Sequence, residues 1–211
     1  MIRAVIFDFG GVLCFPPTDT QIASAAERCG LTVSEFLNAF WSNRIEYDAG
    51  RLGPREYWEG IANKVGLALD DALFADMRQR EIDFWSVYDA RVIEWVRELR
   101  SSGFKTGILS NLPSPLGQHL RKSGGFLDPF DHVTFSYELR VVKPAPAIYE
   151  HMIRGLGVPA NQALFLDDRP ENVDGARAVG LQAELFACWE DFLRDTPERY
   201  GLPAPAVARR Q

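Results

Sequence analysis

The sequence predicts an α/β fold, a doubly wound parallel sheet with an all-helical segment inserted after its first strand. Three observations carry this expectation. The apolar run Ala4-Val5-Ile6-Phe7 ends on Asp8 and a Phe9-Gly10-Gly11 turn, as a buried strand does when it delivers a side chain to a sheet edge. From residue 87 onward, short β-rich runs alternate with helical periodicity, the rhythm of parallel strands covered by helices. Between these two regions no strand pattern occurs, and one helical pattern follows another.

The elements follow in order. After the first strand, Thr18 or Asp19 caps a helix that ends before Gly30, and Ser34 begins a second. Pro54 suits the first turn of a third helix stopping near Gly66, and Asp70 to Phe84 form the last of the insertion. Phe15-Pro16-Pro17 and Phe84-Trp85 read as the two linkers, the prolines narrowing the arc of any hinge. Asp89 caps a helix carrying Val92, Ile93, Val96 and Leu99 on one face, with Gly103 closing it. A strand Lys105 to Ser110, a helix Pro115 to Lys122, a strand Val133 to Ser136 and a helix Ala145 to Arg154 come next. The strand Ala163 to Leu166 runs into Asp167-Asp168, a helix Pro170 to Val179 stops at Gly180, and the strand Gln182 to Phe186 precedes a helix Trp189 to Arg194. The expected division is a core of residues 1–14 and 87–200, a helical cap of 15–86 and a loose tail of 201–211.

Composition narrows the function classes. With 23 Lys plus Arg against 29 Asp plus Glu, the net charge is −6 and no long basic tract occurs, so no nucleic-acid partner is expected. Polar residues interrupt every apolar run short of a membrane span, and the N-terminus enters strand-like sequence without signal-peptide organisation. Cys14, Cys29 and Cys188 are odd in number and lack metal-ligand spacing, which suits reduced thiols. The expectation is a cytoplasmic enzyme, monomer or homodimer, acting on a small molecule. His119, His132 and His151 lie away from the strand ends and are assigned no catalytic part.

Four polar sites fall at or just after strand ends on one rim of the sheet: Asp8, Ser110-Asn111, Lys143 and Asp167-Asp168. Taken singly, Asp8 satisfies turn amides, Ser110-Asn111 makes a turn, Lys143-Pro144 starts a helix and the aspartate pair caps one. Together they assemble a nucleophile, a hydroxyl donor, a fixed cation and an acid pair able to hold a hydrated divalent ion.

These motifs, in this order, resemble the haloacid dehalogenase superfamily, Rossmann-like hydrolases, and in particular its phosphatase branch with a helical cap. The resemblance rests on Phe7-Asp8-Phe9-Gly10-Gly11-Val12-Leu13, Ile108-Leu109-Ser110-Asn111, Lys143-Pro144 and Phe165-Leu166-Asp167-Asp168 with Asn172 and Gly175-Ala176. It implies that Asp8 attacks phosphorus, that Ser110 and Lys143 hold phosphate oxygens, and that Mg2+ sits on Asp8, Asp168, Asp167 and the Gly10 carbonyl. Asn111 adds an amide, the Phe9-Gly10 backbone an anion nest, and Asn172 a brace for the acid loop. The substrate class is a small phosphate ester, a sugar phosphate among the candidates. Within the cap, Trp41, Arg44, Tyr47 and Arg51 fall in the segment that helps to choose substrates in this family.

One position departs from the pattern. Phosphatases of this family usually carry an aspartate two residues after the nucleophile, where it protonates the leaving group, and here that residue is Gly10. A slow phosphatase, a proton donor borrowed from the cap, and a substrate with an acidic leaving group are three open consequences. The alternatives to phosphate hydrolysis are a 2-haloacid dehalogenase, which also uses a strand-end aspartate, and a non-catalytic binding protein of the same fold.

Overall fold

The computed structural model describes residues 1–205. Five parallel strands form one sheet in the order β3-β2-β1-β4-β5. The first, β1 (Ala4–Phe7), lies at the centre, and five helices follow it before the chain returns: α1 (Asp19–Arg28), α2 (Val33–Phe40), α3 (Arg44–Asp48), α4 (Pro54–Val65) and α5 (Asp71–Phe84). The remaining elements are α6 (Ala90–Ser101), β2 (Lys105–Ser110), α7 (Ser114–Lys122), β3 (His132–Phe135), α8 (Ser136–Leu139), α9 (Pro146–Leu156), β4 (Ala163–Asp167), α10 (Pro170–Ala178), β5 (Gln182–Leu185) and α11 (Trp189–Arg199).

Strand alternation divides the core. Val5, Phe7, Ile108, Leu164 and Leu166 pack with α6, α7 and α11 on one face, while Ala4, Ile6, Leu109 and Phe165 pack with α9 and α10 on the other. The helical insertion closes a third, separate cluster around Phe36, Phe40, Tyr47, Tyr57, Trp58 and Phe84. Trp58 is thus cap core. The two linkers pair with each other, Phe15 N–H donating to the Val87 carbonyl and Asp89 N–H to the Leu13 carbonyl.

Several boundaries differ from the sequence expectation for identifiable reasons. Thr32, not Ser34, begins α2, because Thr32 and Glu35 close a reciprocal capping box. Ser136 leaves β3 to open α8, where its hydroxyl donates to the Asp48 carbonyl and accepts from Leu112 N–H. The short α3 had no separate expectation, since five residues show no helical period. Helix α11 continues past Arg194 with Pro197 inside it. The start of the tail is docked, not loose: Leu202 is buried and the Pro203 carbonyl accepts from Trp95 Nε1 at 2.9 Å. The expectation for the last six residues falls outside the described part. No helix among the described residues is long and apolar enough to cross a membrane.

Candidate active site

Parallel pairing puts the polar strand ends together. Phe7 is in register with both Ile108 and Leu166, so Asp8, Ser110 and Asp167-Asp168 emerge from adjacent strands on the same edge. Lys143 reaches this edge from the loop before α9, and Asn111 fixes that loop: its Oδ1 accepts from Lys143 N–H at 2.8 Å and its Nδ2 donates to the Lys143 carbonyl at 3.1 Å. The side chain expected beside the transferring group is therefore engaged in holding Lys143.

The Lys143 ammonium lies between two carboxylates, 2.6 Å from Asp167 Oδ2 and 2.9 Å from Asp8 Oδ1. Asp8 Oδ1 also accepts from Phe9 N–H at 2.7 Å, so both contacts fall on one oxygen. Asp167 is enclosed more completely. Its Oδ1 accepts from Arg169 N–H at 2.9 Å and Asn172 Nδ2 at 3.0 Å, and its Oδ2 from Lys143 and from Asn172 Nδ2 at 3.1 Å. Three donors engage its two oxygens, the Asn172 amide being shared between them. Asn172 thus holds the first aspartate of the acid pair.

One oxygen each of Asp8, Asp167 and Asp168 can be chosen so that all three lie within 4.8 Å of one another. Asp168 is exposed on the rim and presses on the glycine turn, its Oδ2 only 2.7 Å from where a Cβ on Gly11 would stand. Gly11 has φ +75, so this residue must be glycine both for its backbone and for the approach of the acid. The crowding is electrostatic as well. Burial pushes the Asp8 carboxyl up to about 7, Lys143 opposes the rise, and the Asp167 and Asp168 charges add to it. Burial and Asp167 likewise raise Asp168.

These groups open into a cavity of about 440 Å³ between core and cap. The cap contributes Trp41, Arg44, Ile45 and Asp48, the linkers Pro16 and Trp85, and the core Leu112, Leu116, Val142 and Arg169. Of the four cap residues expected here, Trp41 and Arg44 are at the cavity. Tyr47 is not, being buried in the cap, stacked on Tyr57 at 4.0 Å and donating to Glu81 Oε2 at 3.0 Å. Nor is Arg51, which pairs with Glu46 at 2.8 Å and donates to the Arg140 carbonyl at 2.9 Å, tying cap to core. The resemblance to the family's cap segment puts both residues among the substrate-selecting candidates, but packing claims Tyr47 and surface pairing claims Arg51.

Ile45, Asp48 and Trp85 were missed. Asp48 had a legible signal, because it stands four residues after Arg44, the spacing of a helical ion pair. Arg44 Nε meets Asp48 Oδ1 at 2.8 Å, and Arg44 Nη1 meets Glu81 Oε1 at 2.6 Å. Trp85 had no local signal. Its ring carbon Cζ3 lies 3.1 Å from the position a Gly10 Cβ would occupy. His119, His132 and His151 are not among the residues that line the cavity.

The family described as haloacid dehalogenase-like hydrolase matches residues 2–180. A sesquiterpene phosphatase of Aspergillus oryzae is 29% identical over 181 residues, covering 85% of this chain and 87% of its own. An (S)-2-haloacid dehalogenase of a Pseudomonas species is also 29% identical, over 95% of this chain and 88% of its own. A HAD family enzyme from Bacteroides thetaiotaomicron, solved as a complex with magnesium and inorganic phosphate, superposes with a TM-score of 0.75 at 20% identity, covering 92% of this chain and 100% of that one.

Proposed function

The chain belongs to the haloacid dehalogenase-like hydrolases, and from that premise we propose that it is a magnesium-dependent phosphatase of small phosphate esters working through an aspartyl-phosphate on Asp8. The observation that carries this reading is the convergence of Asp8, Asp167 and Asp168 at one sheet edge, with Lys143 paired to the first two. Three carboxylates and one ammonium leave an excess of negative charge where a dianionic substrate has to sit. Hard oxygen donors at this spacing suit magnesium, which takes one or two carboxylates and keeps several waters. Asp167 is engaged by three donors of the chain, so Asp8 and Asp168 are the carboxylates freest to hold the ion, with Asp167 beside them and the Gly10 carbonyl that the resemblance implies. When bound, magnesium supplies the positive charge that offsets repulsion between nucleophile and phosphate.

The residues of the chain do the rest. Asp8 presents the carboxylate oxygen that Lys143 leaves free and displaces the ester oxygen in line, the alcohol departing as its anion and taking a proton from water. A water then attacks phosphorus of the aspartyl-phosphate, releasing phosphate and restoring the Asp8 carboxylate. Lys143, held by Asn111 and Asp167, neutralises a phosphate oxygen, and the Ser110 hydroxyl donates to another. Asp167 and Asn172 act as positioning residues. The helical segment 15–86 covers the site as a cap, and the free thiols Cys14, Cys29 and Cys188 suit a cytoplasmic setting.

Dehalogenation is a second reading, favoured by the haloacid dehalogenase relative. Against it stands the same charge excess, which a haloacid carboxylate does nothing to relieve. The deciding experiment assays 4-nitrophenyl phosphate and 2-chloropropionate side by side with magnesium and with a chelator. Phosphate release that disappears in chelator is expected; chloride release unaffected by chelator would replace the phosphatase reading.

A further inference from the structure

The cavity wall facing the nucleophile is mostly carbon. Trp41, at the end of α2, and Ile45, on α3, are 43% and 65% exposed, and both line the cavity that contains Asp8. Large apolar side chains left open beside a reactive group are a binding surface more than a packing defect. Leu112, Leu116 and Val142 of the core line the same cavity. The wall reaches the reacting centre itself, because Trp85 fills the space beside Gly10 where an acidic side chain would otherwise project.

The polar side chains that the cap brings to this cavity are Arg44 and Asp48. They face each other as an ion pair at 2.8 Å in which Arg44 Nε and Asp48 Oδ1 make no aligned hydrogen bond, and Arg44 is held by Glu81 at 2.6 Å. Arg169 and Glu171 of the core also line the cavity, but a sugar seated against the apolar wall would exchange water for carbon at the hydroxyls that face it, each left without a partner. We propose that the organic group of the substrate is apolar and poor in hydroxyls, seated against Trp41, Ile45, Trp85, Leu112, Leu116 and Val142. This rests on the phosphatase reading and gives that site its substrate class. It also departs from a sugar phosphate, the candidate raised by the sequence.

The test uses 4-alkylphenyl phosphates with tails from methyl to heptyl, in magnesium. Leaving-group acidity is nearly constant along this series, so tail length reports contact with the wall. Expected is a rise in kcat/KM of about two- to fourfold per methylene until the cavity is full. Trp41→Ser and Ile45→Ser should each reduce the ratio between heptyl and methyl esters. A flat series, or an equal gain from hydroxylated tails of the same length, overturns the apolar class while leaving phosphatase activity in place. No turnover of any member would instead remove the phosphatase reading. Calorimetry with non-hydrolysable 4-alkylbenzylphosphonates reads the wall without turnover: affinity should climb with tail length, and constant affinity overturns the proposal.

Discussion

Two buried clusters, one on each side of the cavity, have the same charge arithmetic and different consequences. In the core, Lys143 bridges Asp8 and Asp167; in the cap, Arg44 bridges Asp48 and Glu81. Each cation has one partner with no side-chain exposure, Asp167 or Glu81, and one at the cavity, Asp8 or Asp48. The clusters diverge in what surrounds them. Arg44 is packed over the Phe40 ring at 5.0 Å and the Trp41 and Tyr47 rings at 5.5 Å, so its planar charge is enclosed by aromatic faces. Lys143 is a compact charge over the Phe165 ring at 5.3 Å, and beside its cluster Asp168 adds a third carboxylate. Counted as formal charges, the cap cluster is one positive charge short and the core cluster, with Asp168, is two short. That larger deficit is what equips the core cluster to take a cation and a phosphate.

The contrast breaks most sharply at its cavity-facing acids. Asp8→Asn should keep the fold and lower kcat on 4-nitrophenyl phosphate by about 10⁴-fold or more, the scale seen when a nucleophile is removed. Turnover within a few-fold of wild type would take Asp8 out of the mechanism. Removing the cap cation should act on stability instead. Arg44→Met leaves Glu81 fully buried and without its cation, a loss of about 3–5 kcal/mol in urea unfolding. An unchanged midpoint would mean that Arg44 does not hold Glu81 in the way described.

The two clusters also differ in how far the sequence displayed them. Asp8, Ser110 and Asp167-Asp168 were legible because parallel strands end on one edge, so a strand pattern followed by a polar residue already fixes a place in space. Lys143 was legible through the same rim and through the resemblance. Glu81 was not, since its partner Arg44 is 37 positions away and no local pattern joins two helices of the cap. Tyr47 and Arg51 misled because residue type alone does not say whether a side chain faces a cavity, a neighbour or solvent. Thr32 and Ser34 are both good caps, and only the Glu35 side chain decides between them. In the tail, Leu202 was hidden by its Pro/Ala-rich context, although one buried leucine and one tryptophan donor suffice to dock it.

Magnesium sharpens the comparison without any turnover. Binding to the folded protein alone at 100 times Kd adds about 2.7 kcal/mol of stability, which raises Tm by several degrees in a chain of this size. The Asp168→Asn variant should lose most of this rise, because it removes the exposed member of the core triad. Asp48→Asn should retain it, because the cap cluster offers no third carboxylate. Equal losses in the two variants, read by thermal denaturation with and without magnesium, would erase the distinction between the clusters.

The smallest expected effect concerns the space between the clusters, at Gly10. With no acid there, wild-type rates should fall steeply as the leaving group becomes more basic, aryl phosphates outrunning alkyl phosphates. Gly10→Asp should flatten that dependence by protonating the departing oxygen. The backbone does not forbid it, since Gly10 lacks the positive φ of Gly11. The obstacle is Trp85, whose ring lies 3.1 Å from the new Cβ and has to yield by a few tenths of an ångström. A general acid is worth about 10²–10⁴-fold when well placed, and with a displaced tryptophan beside it the gain on alkyl esters should be nearer tenfold. Gly10→Asp combined with Trp85→Leu should recover more of it, because the smaller side chain frees the space the carboxylate needs. Circular dichroism on both variants separates a misfolded turn from a misplaced acid. A wild-type rate independent of leaving-group pKa, with chemistry rate-limiting, would mean that a proton already arrives from another group, and the cavity-facing Asp48 of the cap cluster would be the first to replace.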